Sequence, residues 1–142
     1  MENFMDLAIN KAHEGKTPFG AVIVQDKEVL SAVYNTTSQA NDPTAHAEVN
    51  AIRQACQYIG GSKLQGTVLY TTCAPCPMCT AAAFFAGIQD IYYGASIPTI
   101  SQYLPQMHLR AKEVLLHADV SVGIEQMKDY AKTCEVLLGQ YS

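Results

Sequence analysis

The chain has 142 residues, 49% of them apolar, and a formal net charge of −4. That length suits a single domain, residues 1–142, with enough apolar material to close a core. Its nine Lys and Arg form no basic run that could track a phosphate backbone, and its longest apolar stretch, near residues 81–86, is far too short to span a bilayer, so neither nucleic acid nor membrane is the expected partner. The first residues show no basic stretch followed by an apolar one, so no secretory signal is expected and a cytoplasmic location is. Five cysteines in such a chain read as reduced thiols, with Cys56, Cys73 and Cys134 expected as small buried residues.

Phe4, Leu7, Ala8 and Ala12 recur at helical spacing and predict a helix over 3–14, ended by Gly15-Lys16-Thr17-Pro18. Runs at 19–24 and 28–34 flank Gln25-Asp26-Lys27 and predict an antiparallel hairpin. Residues 35–44 read as a polar loop. Val49, Ile52, Cys56 and Ile59 predict a helix over 45–59, opened by N-cap chemistry in Asp42-Pro43-Thr44 and stopped by Gly60-Gly61. A strand over 67–72 follows, then a helix over 75–86 with Pro77 in its first turn, then a strand over 90–93. Residues 95–106, with Pro98 and Pro105, read as irregular, 120–122 as a weak fifth strand, and 126–138 as a closing helix. The order predicts an α/β protein of three layers, α/β/α: a mixed five-stranded sheet with helices on both faces. Residues 81–86 are apolar nearly all round, so that helix is expected to be covered by the sheet on one side and by a second copy on the other.

Two short motifs carry the chemistry: His46-Ala47-Glu48 and Pro75-Cys76-Pro77-Met78-Cys79. Cys76 and Cys79 are three apart and share a helix face, in a first turn whose unpaired N–H groups lower a thiol's pKa. Two thiolates and a neutral imidazole balance Zn²⁺ and leave its fourth position open. Glu48, not needed as a ligand, is a proton carrier beside that position. A structural zinc would need a fourth ligand from His13, His108, His117, Cys56 or Cys73, none of which forms a second knuckle. A Cys-x-x-Cys redox pair would leave His46 and Glu48 unexplained.

These motifs resemble those of the cytidine deaminase superfamily of zinc aminohydrolases, whose signature is H-x-E followed by P-C-x-x-C. Pro18-Phe19-Gly20-Ala21-Val22-Ile23-Val24, Asn41-Asp42-Pro43-Thr44-Ala45-His46-Ala47-Glu48 and Leu69-Tyr70-Thr71-Thr72 are similar to the bacterial guanine deaminase and tRNA adenosine deaminase branch, over roughly residues 1–95. The resemblance implies one Zn²⁺ per chain on His46, Cys76 and Cys79, with Glu48 as the catalytic acid and base. It implies substrate contacts from Asn35, Phe19 and Ala47, and backbone contacts from Thr44 and Ala45. Asn35 also reads as a strand-end turn residue, and Phe19 as plain core. The implied partner is a small nucleobase or nucleoside, guanine going to xanthine and ammonia as the first candidate. The alternatives are adenosine-to-inosine conversion in tRNA, deamination of cytosine or another amino-heterocycle, and, outside enzymes, a zinc-stabilised interaction domain. A homodimer or larger assembly is expected. Two departures stand out. Ala74 sits where this branch often has Glu. Residues 95–106 contain no Asp or Glu, where guanine deaminases carry acidic residues that read the purine. Tyr103 and Tyr141 are candidates to close over a base.

Overall fold

The structure, a computed structural model, describes residues 3–142. Asn3 opens the first helix, α1 (Phe4–Gly15): its Oδ1 accepts from Met5 N at 3.0 Å, and the chain leaves through Lys16 in the left-handed region, φ 53°. The buried stripe Met5, Ala8, Ile9 and Ala12 faces the sheet. A Cβ at Gly20 would collide with the Ala8 carbonyl, so α1 rests directly on the first strand, β1 (Gly20–Gln25). Asp26 and Lys27, at φ 49° and 69°, make the tight turn into β2 (Glu28–Tyr34), the predicted hairpin.

The chain continues through α2 (Thr37–Ala40), α3 (Ala47–Ile59), β3 (Val68–Cys73), α4 (Pro77–Ala86), β4 (Asp90–Ala95), α5 (Ile97–Ile100), α6 (Ala111–Leu115), β5 (Gly123–Gln126), a 3₁₀ turn (Lys128–Tyr130) and α7 (Ala131–Tyr141). The sheet order is β2-β1-β3-β4-β5. Strand β1 runs antiparallel to both neighbours, while β3, β4 and β5 are parallel, which is possible because α4 and the α5–α6 segment carry the crossovers. Side chains alternate along β1: Val22 and Val24 enter the layer of α1 and α7, Ala21 and Ile23 the layer of α3 and α4. In α3 the fully buried Ala47, Ala51 and Ala55 are each a turn apart and let the helix lie close, with Ser31 Oγ donating to Ala51 O at 2.8 Å. The predicted mixed five-stranded sheet with helices on both faces is the fold found.

Several boundaries differ from expectation. The fifth strand lies at Gly123–Gln126, not 120–122, because its pairing with β4 runs from Asp90↔Gly123 to Tyr93↔Gln126. That strand and the 3₁₀ turn occupy the start of the predicted closing helix, which begins only at Ala131. The polar loop at 35–44 contains α2, and the irregular stretch at 95–106 contains α5, whose N-cap Ser96 accepts from Thr99 N at 3.4 Å. Helix α6 was not expected. Helix α3 starts at Ala47, and its cap is not Asp42 or Thr44: Asp42 Oδ1 is taken by Thr44 N at 2.8 Å and Thr44 Oγ1 at 2.6 Å, a local turn ahead of the helix. All five cysteines are free; Cys73 and Cys134 are buried, while Cys56 is only half-buried. No described helix is long and apolar enough to cross a membrane.

Candidate metal centre and active site

Two helix starts converge outside the carboxyl end of β3. His46 is the N-cap of α3 and Cys76 the N-cap of α4, both with extended backbone, φ −64° and −69°. Neither side chain caps its own helix, so both are available to the space between. Pro77 occupies the first position of α4, where its missing N–H costs nothing, and Cys79 follows one turn on. His46 Nδ1 stands 3.7 Å from Cys76 Sγ and 3.5 Å from Cys79 Sγ. A tetrahedral zinc about 2.3 Å from sulfur and about 2.0 Å from nitrogen separates such atoms by roughly 3.6 Å. The three donor atoms lie within 4.8 Å of one another and form the one such cluster of His, Cys, Asp or Glu among the described residues. The donor set therefore fits a zinc ion with a fourth position open, and it is Nδ1 that faces the sulfurs.

Thiol chemistry follows from this crowding. The Cys76 thiol is brought down to about 4, first by the hydrogen bond from Cys79, against its own desolvation, then by His46. Cys79 moves up, because it donates to Cys76 and is buried. His46 is raised, chiefly by its hydrogen bond with Cys76. Glu48, in the first turn of α3 and 5% exposed, has its carboxyl pushed up to about 7 by burial, with the negative charge at Cys76 adding. Its neighbours His46 and Cys79 pull the other way.

A cavity of about 440 Å³ opens over these groups and is lined by His46, Glu48, Cys76, Asn35 and Phe19, a size suited to a small cyclic ligand. Asn35 makes the turn at the end of β2, its Oδ1 accepting from Thr37 N at 3.0 Å and Thr37 Oγ1 at 2.9 Å, and it borders the cavity. Phe19 borders the cavity and packs against both cores. Ala47 is fully buried against the sheet and is not part of the lining, and neither is Thr44 or Ala45. Tyr141 is turned away, its hydroxyl 2.7 Å from His13 Nδ1, and the Tyr103 hydroxyl donates to Glu135 at 3.3 Å; neither closes over the site. The far wall went unread in the sequence. Ile100, Leu104, Pro105 and Gln106 supply it from the stretch expected to be irregular. The spacing Ile97, Ile100, Leu104 was the available signal.

An α/β/α layer structure with an imidazole, two thiols and a buried carboxylate at the ends of parallel strands describes a mononuclear zinc protein of the deaminase type. Residues 1–95 match the family described as the cytidine and deoxycytidylate deaminase zinc-binding region, and the chain belongs to that family. It is 44% identical over 99 residues to a guanine deaminase of Bacillus subtilis (strain 168), a match covering 66% of this chain and 64% of that protein. It is 45% identical over 100 residues to a tRNA-specific adenosine deaminase of Agrobacterium fabrum, covering 68% of this chain and 66% of the relative. Each alignment thus spans a little under two thirds of the curated relative's length. A solved tRNA:A34 deaminase, studied for A-to-I editing at the wobble position of transfer RNA, superimposes with a TM-score of 0.80 at 33% identity, covering 95% of this chain and 97% of that one.

Proposed function

We propose that the chain catalyses hydrolytic removal of an exocyclic amine from a nucleobase, with His46, Cys76 and Cys79 holding zinc and Glu48 moving the protons. One observation carries the reading: a buried carboxylate two positions from a histidine whose Nδ1 lies 3.5 and 3.7 Å from two sulfurs. Zinc held by that set supplies a Lewis acid with one open coordination position. Glu48, with its carboxyl near 7, can hold or release a proton at neutral pH. It takes a proton from the attacking water and passes it to the ring nitrogen beside the reacting carbon. It then takes the second proton from the hydroxyl now on that carbon and delivers it to the departing amine, so that the C–N bond breaks, ammonia leaves and a carbonyl remains. Asn35 has its oxygen occupied by Thr37 and keeps its amide N–H groups for an acceptor on the base, while Phe19 offers a flat apolar wall.

Two substrates follow from the relatives. Guanine, the first expectation, rests on the identity to a guanine deaminase. Adenosine in tRNA rests on an equally high identity and on the whole-chain match to a tRNA:A34 deaminase. The 95–106 wall has no carboxylate for the N–H edge of guanine; the polar residue it brings to the lining is Gln106, whose Nε2 donates to Pro105 O at 2.8 Å. Zinc-loaded protein should release ammonia from one of a panel of purine and pyrimidine bases, nucleosides and an anticodon stem-loop. Glu48→Gln should keep one zinc per chain and lose about 10²–10⁴-fold or more in turnover. A zinc-loaded protein silent on the whole panel would instead be the zinc-stabilised interaction domain.

Assembly as a homodimer and a reducing, cytoplasmic setting belong to the same proposal. Helix α4 is apolar nearly all round and Phe85 at its end is 68% exposed, which favours a second copy as its cover. Sedimentation should give a two-chain mass that Phe85→Glu reduces to one; a one-chain mass for the unmodified protein counts against it. Five free thiols accord with a reducing compartment.

A further inference from the structure

Removing an amine from a neutral base requires no cluster of cations, yet the fold builds one next door. Arg110 caps α6 and Lys112 lies in its first turn, while Lys128 comes from beyond β5, yet all three line one cavity of about 550 Å³. They are three of the nine Lys and Arg in a chain of net charge −4. The salt bridges found among the described residues use other cations, Lys11, Arg53 and Lys132. The one carboxylate in the lining is Glu125. Glu113, outside the lining, accepts from the backbone N–H of Arg110 at 3.2 Å. Three cations against one lining carboxylate leave an excess of like charge, and a bound anion relieves it.

The place of this cavity gives it meaning. Its lining and that of the zinc cavity share one residue, Ala74. Helix α5 is the partition, with Ile97 on the basic side and Ile100 on the other. Ala74 is fixed by its N–H donating to Ala95 O at 2.8 Å and projects only a methyl at the junction. A ligand crossing Ala74 would lay a ring over Glu48 and its anionic group among the three cations. An arginine with two lysines suits a phosphate, which carries close to two negative charges and several acceptor oxygens.

We propose that this cavity is a phosphate subsite, and that the substrate deaminated at the neighbouring centre carries a phosphate. The proposal rests on the deaminase reading for its second half only. Inorganic phosphate titrated into the zinc-loaded full chain should shift the backbone amide NMR signals around Arg110, Lys112, Lys128 and Ser96, saturably. The triple variant R110Q/K112Q/K128Q should abolish this; all three positions are exposed, so the fold should tolerate the change. In kinetics, a phosphorylated substrate should exceed its unphosphorylated counterpart in kcat/KM by about tenfold or more, a ratio that collapses toward one in the triple variant. Preference for a nucleoside 5′-monophosphate identifies a nucleotide as the source of the phosphate, and preference confined to a stem-loop RNA identifies a backbone phosphate. Phosphate shifts that are absent, scattered over the surface or unchanged in the variant overturn the subsite. Equal kcat/KM with and without phosphate, in an active enzyme, overturns the substrate class. Should no compound be deaminated, the deaminase reading fails while the phosphate titration still decides the subsite.

Discussion

Glu48 and Cys134 are both acids taken out of water, and burial moves both in the same direction with opposite consequences. For Glu48 the shift brings the carboxyl to about 7, where a proton can be both taken and returned. For Cys134, pushed up to about 12 by burial, and for Cys73, which burial also raises well above the ordinary thiol range, it keeps the thiols protonated and inert. The cost appears at high pH. A thiol whose folded pKa lies above its unfolded value near 9.0 contributes full stability below that pH and loses it as the pH climbs toward the folded pKa. By pH 10 the Cys134 thiol forfeits roughly 1.4 kcal/mol. Urea unfolding of zinc-loaded protein at pH 7.5 and pH 10 should therefore show a smaller alkaline loss in Cys134→Ala than in the parent, although the variant starts lower for its lost packing. Equal losses in the two proteins would mean that the Cys134 thiol ionises as freely in the fold as in the unfolded chain.

At the scale of elements, the site depends on how closely helices approach the sheet. Helix α7 meets β4 at Gly94, where a Cβ would collide with Cys134 Sγ and stand 2.9 Å from Thr72 O. Gly94→Ala should destabilise by about 1–3 kcal/mol, read as a lower urea midpoint with an unchanged slope. Adding Cys134→Ala should restore only part of that loss, because the Thr72 carbonyl is backbone and stays in place. The same dependence on close packing explains what was legible beforehand. His46, Glu48, Cys76 and Cys79 could be read from the sequence because metal chemistry admits few residue types and each pair falls within one helical turn. The hairpin was legible from Gln25-Asp26-Lys27 between two apolar runs. Gln106, Ile100 and Leu104 were not, since their place over the site is set by where α5 docks and not by local pattern. Nor was the meeting of Lys128 with Arg110 and Lys112, which waits on the pairing of β5 with β4. The shift of β5 from 120–122 to Gly123–Gln126 has the same origin: a short edge strand takes its register from its neighbour.

For the whole molecule, the metal set joins parts that the chain keeps far apart. His46 belongs to α3 and the two cysteines to the start of α4, and both helices lie on one face of the sheet. An ion held by all three donors ties these helices together at their N-termini, and it has no comparable set in the unfolded chain. Binding to the folded state alone stabilises by RT ln(1 + [L]/Kd), about 4 kcal/mol when free zinc exceeds Kd a thousandfold. For a chain of this size that corresponds to roughly 10 °C or more in Tm. A chelator should lower the Tm by about that amount, and re-addition of zinc should restore it. In Cys79→Ser, which replaces a fully buried sulfur donor by a weaker oxygen ligand, the Tm should respond much less to either treatment. Glu48→Gln should respond as the unmodified protein does, because Glu48 is not among the three clustered donors. A chelator-insensitive Tm in the unmodified chain would mean that the packing of α3 and α4 on the sheet suffices without the ion. An equal response in Cys79→Ser would mean that the metal is gripped elsewhere.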